Sequence, residues 1–81
     1  MKEIFKEIAA EVQRAEKHEK RFHSLHEAYG VILEEVDELW DLTRLKKRNR
    51  RPKALEKELV QIAAMAVKAL QSIDNFHGGK T

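Results

Sequence analysis

The chain has 81 residues, a formal net charge of +2 and no cysteine. This length allows one domain, and the lack of cysteine excludes disulfide bonds and thiolate metal sites. Only three glycines and one proline occur among many helix-forming residues, which argues against a β architecture and predicts an all-α fold. No apolar stretch in the sequence is long enough to span a membrane, and no signal-peptide pattern is evident, so we expect a cytoplasmic protein without a membrane partner.

The first predicted helix covers about residues 2–21. Apolar residues recur at helical spacing along one face: Ile4, Phe5, Ile8, Val12 and Ala15. Glu and Lys occupy the opposite face, as is typical of an amphipathic helix that packs on one side. Phe22 continues the same register.

The second predicted helix covers about residues 24–46. It begins with Ser24 and Glu27, which have the spacing of a capping box. A broad apolar stripe follows: Leu25, Tyr29, Ile32, Leu33, Val36, Leu39 and Trp40. The two aromatic residues are favoured as core residues, with stacking on a nucleobase as the alternative. Gly30 destabilises a helix by about 1 kcal/mol relative to Ala, which predicts close packing at that position.

A strongly basic segment precedes the third predicted helix. Seven of the ten residues 44–53 are Lys or Arg, and residues 47–51 are predicted to form a flexible loop. The run is either a solvated loop or a source of positive charge for a bound phosphate chain, supplied by Arg48, Arg50, Arg51 and Lys53. Pro52 suits the first turn of a helix over about residues 52–73, and residues 76–81 are expected to form a short disordered tail.

The third predicted helix has an apolar stretch, Ile62–Val67, that is apolar on every side. A helix of this kind is buried on every side, and two other helices in one protomer are too few to enclose it. We therefore expect a three-helix protomer that forms an intermolecular helical bundle as a homodimer or homotetramer.

An acidic segment lies in the second predicted helix. Five acids occur there without an intervening basic residue: Glu34, Glu35, Asp37, Glu38 and Asp41. Glu35 and Glu38 are three residues apart, so they project from one face of the helix. Like charges at this spacing destabilise a helix by a few tenths of a kcal/mol. A divalent cation such as Mg²⁺, which binds carboxylates and phosphates, would offset this repulsion.

Glu58 is an acid on an apolar face of the third predicted helix. A helical wheel places it between Leu55 and Ile62 on one side and Met65 on the other. Burying an unpaired carboxylate costs several kcal/mol, so such a group is normally protonated, paired or bound to metal. Two interpretations follow: Glu58 is a metal ligand, or it forms an ion pair with an arginine of the first helix or the loop.

Three segments of this chain resemble the MazG-like all-α nucleotide pyrophosphohydrolases: Phe22-His23-Ser24, Glu34-Glu35-x-x-Glu38-Leu39 and Glu58-Leu59-Val60-Gln61. The family pattern is E-E-x-x-E followed, after a gap, by E-x-x-D. Here the gap between Glu38 and Glu58 is nineteen residues, within the family's range, and the resemblance covers about residues 20–73. It implies an all-α bundle built from dimers that hydrolyses a nucleoside triphosphate to the monophosphate and pyrophosphate, in a nucleotide-pool role.

The resemblance also implies roles for individual side chains. Glu35, Glu38 and Glu58 would hold Mg²⁺ (or Mn²⁺), Glu34 would orient the attacking water, and His23 would lie near the nucleobase. Gln61 occupies the position of the final Asp in the family pattern. Its amide oxygen can coordinate Mg²⁺ but contributes no negative charge, and on this basis Gln61→Asp is expected to tighten metal binding.

Two other functions remain open from the sequence. One is a catalytically inactive MazG-like helical oligomer that acts as a nucleotide- or partner-binding module. The other is a nucleic-acid-binding module that uses the basic residues 44–53 to contact phosphates. The acidic segment beside these residues would repel a polyanion, so nucleic acid is not the expected partner.

Overall fold

The computed structural model describes residues 1–17 and 21–76, and within these ranges the chain folds into helices without any β-strand. The all-α prediction is therefore confirmed for the described residues. The elements are α1 (Lys2–Glu16), α2 (Leu25–Thr43), a 3-10 turn (Lys47–Asn49), α3 (Pro52–Gln71) and α4 (Ile73–Phe76). Among them, none has the combination of length and apolar character needed to cross a bilayer.

The central element is α3, which packs against α1, α2 and α4. The core consists of Val12, Phe22, Ala28, Ala64, Met65 and Phe76. Ala28 of α2 and Ala64 of α3 are 1% and 0% exposed, so small side chains at these positions let the backbones approach closely. This close approach brings the polar residues of α2 and α3 into contact across the same seam.

The first helix is shorter than predicted. It ends at Glu16 rather than near residue 21, and residues 18–20 lie outside the described part. Phe22 does not continue its register: it leaves the helix, is 3% exposed, and donates its N–H to the Ser72 hydroxyl at 2.9 Å. The Phe22 carbonyl accepts a hydrogen bond from the Asn75 side chain at 2.7 Å. These hydrogen bonds fix Phe22 against the end of α3 and α4. Because their partners are distant in the sequence, the periodicity of one segment does not predict them.

Different side-chain hydrogen bonds stabilise the two ends of α2. At the start, the Ser24 hydroxyl accepts from the Glu27 N–H at 3.1 Å, and the Glu27 carboxylate accepts from the His23 N–H at 2.6 Å. At the other end, α2 stops at Thr43 rather than near residue 46. The Arg50 guanidinium donates to the carbonyls of Thr43 at 2.9 Å and Leu45 at 3.0 Å, which satisfies backbone acceptors exposed at this helix end.

The third helix, α3, begins at Pro52, as the sequence predicts, but it ends before Ser72. The Ser72 hydroxyl donates to the Lys68 carbonyl at 2.7 Å, and the short α4 follows. Phe76, assigned to a disordered tail from the sequence, belongs to α4 and is 7% exposed. The rest of the predicted tail, residues 77–81, lies outside the described residues. The predicted loop 47–51 contains the 3-10 turn.

The largest row of exposed apolar side chains lies on α2 and not in the middle of α3, although Ile4, Phe5, Leu59 and Leu70 are also exposed on α1 and α3. Within residues 62–67 only Ala66 is exposed, so α1 and α2 cover most of the stretch that was expected to need a second chain. The exposed stripe consists of Leu25, Tyr29, Leu33, Val36 and Trp40. Within the single protomer Tyr29 and Trp40 are not core residues, since they are 66% and 58% exposed. A Cβ added at Gly30 would meet no atom of the described residues within 4 Å, so this part of the chain does not pack closely there.

Candidate metal centre

Three carboxylates meet at the seam between α2 and α3. Glu35 and Glu38 lie one turn apart on α2, and Glu58 faces them from α3. Each offers one oxygen, and the three oxygens all lie within 4.8 Å of one another. Glu35 and Glu58 are half-buried, while Glu38 is exposed. The cluster therefore lies partly in the interior, at Glu35 and Glu58, and is open to solvent at Glu38.

Two oxygens of this cluster are buried without a hydrogen bond. Among the described residues, Oε2 of Glu35 and Oε2 of Glu58 meet no donor, so the hydrogen bonding between Glu35 and its neighbouring carboxyls depends on a shared proton. A buried polar atom left unsatisfied costs about 1–3 kcal/mol, more for a charged group. The proposed alternative of an arginine partner for Glu58 finds no support, because the group beside Glu58 is the carboxyl of Glu35.

Burial raises the pKa of Glu35 from 4.5 to about 7, and the neighbouring carboxylates of Glu58 and Glu38 add to this rise. A carboxylate surrounded by apolar atoms and by like charges favours its neutral form. The site therefore holds on to a proton near neutral pH when no cation is present. A divalent cation provides the opposite charge that this arrangement lacks.

The three carboxylates fit a hard divalent cation in donor chemistry and in spacing. Mg²⁺ takes oxygen ligands at about 2.0–2.1 Å in octahedral geometry, which places neighbouring ligand oxygens about 2.9 Å apart and opposite ones about 4.1 Å apart. The separations here extend no further than 4.8 Å, so small side-chain movements bring all three into range. Glu38 is exposed and has room to make such a movement.

A groove of about 420 Å³ opens beside the carboxylates. Glu38 and Glu58 form part of its wall together with Asp41 and Lys57, and it runs toward the end of α2 that is followed by the basic segment. Its volume is in the range of small-molecule sites. The sequence did not single out Lys57, although it directly precedes Glu58 and brings an ammonium group to the same groove. Asp41 forms an exposed ion pair with Arg44 at 2.9 Å.

Glu34 is not one of the three clustered carboxylates, and Gln61 follows Glu58 by one turn on α3. The Gln61 amide nitrogen donates to Oε2 of Glu11 on α1 at 3.3 Å, a contact with the other neighbouring helix that sequence patterns did not reveal. Glu34 is exposed on α2. The predicted role of Glu34 in orienting water therefore stays a prediction.

The predicted substrate-binding residues are spread over the molecule. His23 precedes the first turn of α2, about 18 Å from Glu35 along the helix axis at 1.5 Å per residue. Arg50 binds the C-terminal carbonyls of α2, while Arg48 and Arg51 are exposed. Lys53 lines a separate groove between α1 and α3. None of the five lines the groove beside the carboxylates, and their role in substrate binding stays a prediction.

No protein-family model, curated protein or solved structure matches this chain. The class that the fold and the site define is a small all-α protein with a carboxylate cluster between two helices.

Proposed function

We propose that this protein is a MazG-like cytoplasmic enzyme that hydrolyses a nucleoside triphosphate to the monophosphate and pyrophosphate, with Mg²⁺ or Mn²⁺ as cofactor. The observation that supports this proposal is the cluster of Glu35, Glu38 and Glu58 with two buried, unpartnered oxygens. An uncompensated group of carboxylates is unfavourable for folding, so it is more readily explained by a bound cation than by stability.

The groove beside the cluster is lined by three acids and one lysine, so a triphosphate would bind there together with a cation. The metal would neutralise phosphate oxygens while held by the three glutamates. Lys57, in the same groove, donates to phosphate oxygens. A carboxylate, for which the resemblance suggests Glu34, orients a water and takes its proton as the water oxygen adds to the α-phosphorus. The phosphoanhydride bond between the α- and β-phosphates breaks, and pyrophosphate leaves.

The proposal includes self-association through the exposed stripe on α2. Leu25, Tyr29, Leu33, Val36 and Trp40 fall within an arc of about 80° on the helical wheel, and each is at least 41% exposed. Contiguous exposed apolar surface of this kind is typical of protein interfaces. Gly30 borders the stripe and has no packing role in the protomer, which fits a position where a second helix approaches closely.

An antiparallel pairing of two α2 helices suits the distribution of charge. Five of the six acids of α2 lie from Glu34 onward, whereas Arg21, His23 and His26 lie at or just before its N-terminal end, together with the acid Glu27. If two copies pair about the middle of the stripe, Leu25 of one faces Trp40 of the other. His23 of one copy then lies at the level of Leu42 of the other, about 6 Å along the axis from Glu38. His23 would thus approach a nucleotide at the site of the second copy.

The catalytic proposal is tested with a panel of standard and modified nucleoside triphosphates and Mg²⁺, by measuring the release of pyrophosphate and of phosphate. We expect pyrophosphate and monophosphate in equal amounts, and loss of both in Glu58→Gln. Glu56→Gln is the matched control, because Glu56 is an exposed acid two residues away on α3 that lines the other groove. If nucleotide binds with Mg²⁺ but is not hydrolysed, the inactive binding module is the correct alternative.

The proposed association is tested by light scattering on Trp40→Ser and Phe5→Ser. Both side chains are large and exposed, at 58% and 59%, but only Trp40 belongs to the α2 stripe. We expect Trp40→Ser to lower the average mass toward that of one chain and Phe5→Ser to leave it unchanged. A wild-type protein that is monomeric at micromolar concentration would contradict the proposal.

A further inference from the structure

We infer that Glu11 of α1 is a positioning residue for the metal centre and acts through Gln61, supplying from α1 the negative charge that α3 lacks at position 61. This inference rests on the proposed function, because it assigns a role toward the same cation. Glu11 lies outside the segments that carry the resemblance. Its role is inferred from its contact with Gln61.

Glu11 is held in a defined place. Its side chain is 14% exposed although it is charged. One carboxylate oxygen pairs with Arg14 of the same helix, and the other accepts from the Gln61 amide nitrogen at 3.3 Å. Gln61 is half-buried and follows Glu58 by one turn on α3, while its amide contacts α1.

The contact determines how the Gln61 amide is oriented. An ionised carboxylate only accepts hydrogen bonds, so it must face the NH₂ group and not the carbonyl oxygen of the amide. The Gln61 carbonyl oxygen, which is the only atom of this side chain suited to a hard cation, is then directed away from Glu11. Without Glu11, the amide is equally able to present its NH₂ group, which a cation repels.

The same contact explains why an amide is suitable at position 61. Any carboxylate at this position that reaches Glu11 meets a second carboxylate, and the two repel one another unless they share a proton. The expectation that Gln61→Asp alone tightens metal binding is therefore revised. An added acid at position 61 becomes favourable only when Glu11 is made neutral at the same time.

The test compares four chains: wild type, Glu11→Gln, Gln61→Glu and the double variant that exchanges the two side chains. For each, Mn²⁺ affinity is measured by calorimetry, and the thermal midpoint is measured with and without Mn²⁺. We expect Glu11→Gln to weaken Mn²⁺ binding about tenfold, as is typical when a group that orients a metal ligand is removed. Gln61→Glu alone should lower the metal-free midpoint, and the exchange should restore both the midpoint and the affinity.

Glu7→Gln is the matched control, because Glu7 lies one turn before Glu11 on α1 and both residues line the groove between α1 and α3. It should leave Mn²⁺ affinity unchanged. If Glu11→Gln binds Mn²⁺ as tightly as wild type, or if the exchange does not recover affinity, the inference is overturned and the metal centre stands without it. If the wild-type chain shows no response to Mn²⁺ or Mg²⁺, the proposed function fails and the inference fails with it.

Discussion

Two regions of this molecule bury polar groups, and they differ in whether those groups have hydrogen-bond partners. At the junction of α3 and α4, Ser72 is 0% exposed, accepts from the Phe22 N–H and donates to the Lys68 carbonyl. Even the buried ammonium of Lys68 lies over the Phe22 ring, 4.6 Å from its centre. Between α2 and α3, by contrast, buried oxygens of Glu35 and Glu58 meet no hydrogen-bond donor within residues 1–17 and 21–76.

The difference separates a structural region from a candidate functional one. Satisfied polar groups at the first junction stabilise the fold by themselves and leave little to be gained from a ligand. The carboxylates at the second are stable only after a proton or a cation joins them. The three changes below test this contrast, beginning with the largest expected effect.

Adding a divalent cation should affect only the carboxylate cluster. At a hundredfold excess of Mg²⁺ or Mn²⁺ over its Kd, the free energy of unfolding should rise by about 2.7 kcal/mol. For a chain of this size, each kcal/mol raises the thermal midpoint by about 4–8 °C. Glu58→Gln should abolish this rise, because it removes the carboxylate that α3 contributes to the cluster. A full response in Glu58→Gln would show that this carboxylate is not a ligand.

Ser72→Ala should affect only the satisfied junction. It leaves the Phe22 N–H buried without an acceptor, which lowers the free energy of unfolding by about 1–3 kcal/mol. The midpoint should fall while the rise caused by Mg²⁺ keeps its size. Thr43→Ala is the matched control, because the Thr43 hydroxyl donates to the Leu39 carbonyl in the same way at 2.9 Å but is exposed. That change should stay within about 0.5 kcal/mol; a loss equal to that of Ser72→Ala would refute the argument from burial.

The stability of the metal-free protein should depend on pH through the carboxylate cluster. Because the pKa of Glu35 is raised from 4.5 to about 7, its contribution to stability is fully present below pH 4.5. It is lost as the pH rises through about 7, since the folded state binds the proton more tightly than the unfolded state. Thermal midpoints of wild type and Glu35→Gln are measured with a chelator at pH 5 and pH 8. The midpoint of wild type should fall more between these two pH values than the midpoint of Glu35→Gln. Equal pH dependence in the two chains would contradict the raised pKa.

Local sequence signals placed several helix boundaries correctly. Ser24 with Glu27 marked the start of α2, and Pro52 marked the start of α3, because both signals act within one turn of the chain. Periodicity also placed Glu35 and Glu38 on one face and Glu58 on an apolar face. The structure brings these three together, while the binding of metal to them stays a prediction.

Other features depended on residues far apart in the sequence. The periodicity of the first helix did not show that Phe22 leaves it, because the partners that hold Phe22 belong to the end of α3 and to α4. A helical wheel likewise did not show that Tyr29 and Trp40 are exposed, because it orders side chains by angle without revealing which angles a neighbour covers.

The sequence by itself determined the all-α class and the faces of α2 and α3 that carry the acids, since composition and helical spacing are properties of single segments. Only the tertiary structure decided that the middle of α3 is covered within one protomer, that the exposed apolar stripe lies on α2, and that Glu11 contacts Gln61. These outcomes follow from how α1 and α2 pack on α3. That packing depends on the shape and volume of side chains from three segments at once, and no single segment contains this information.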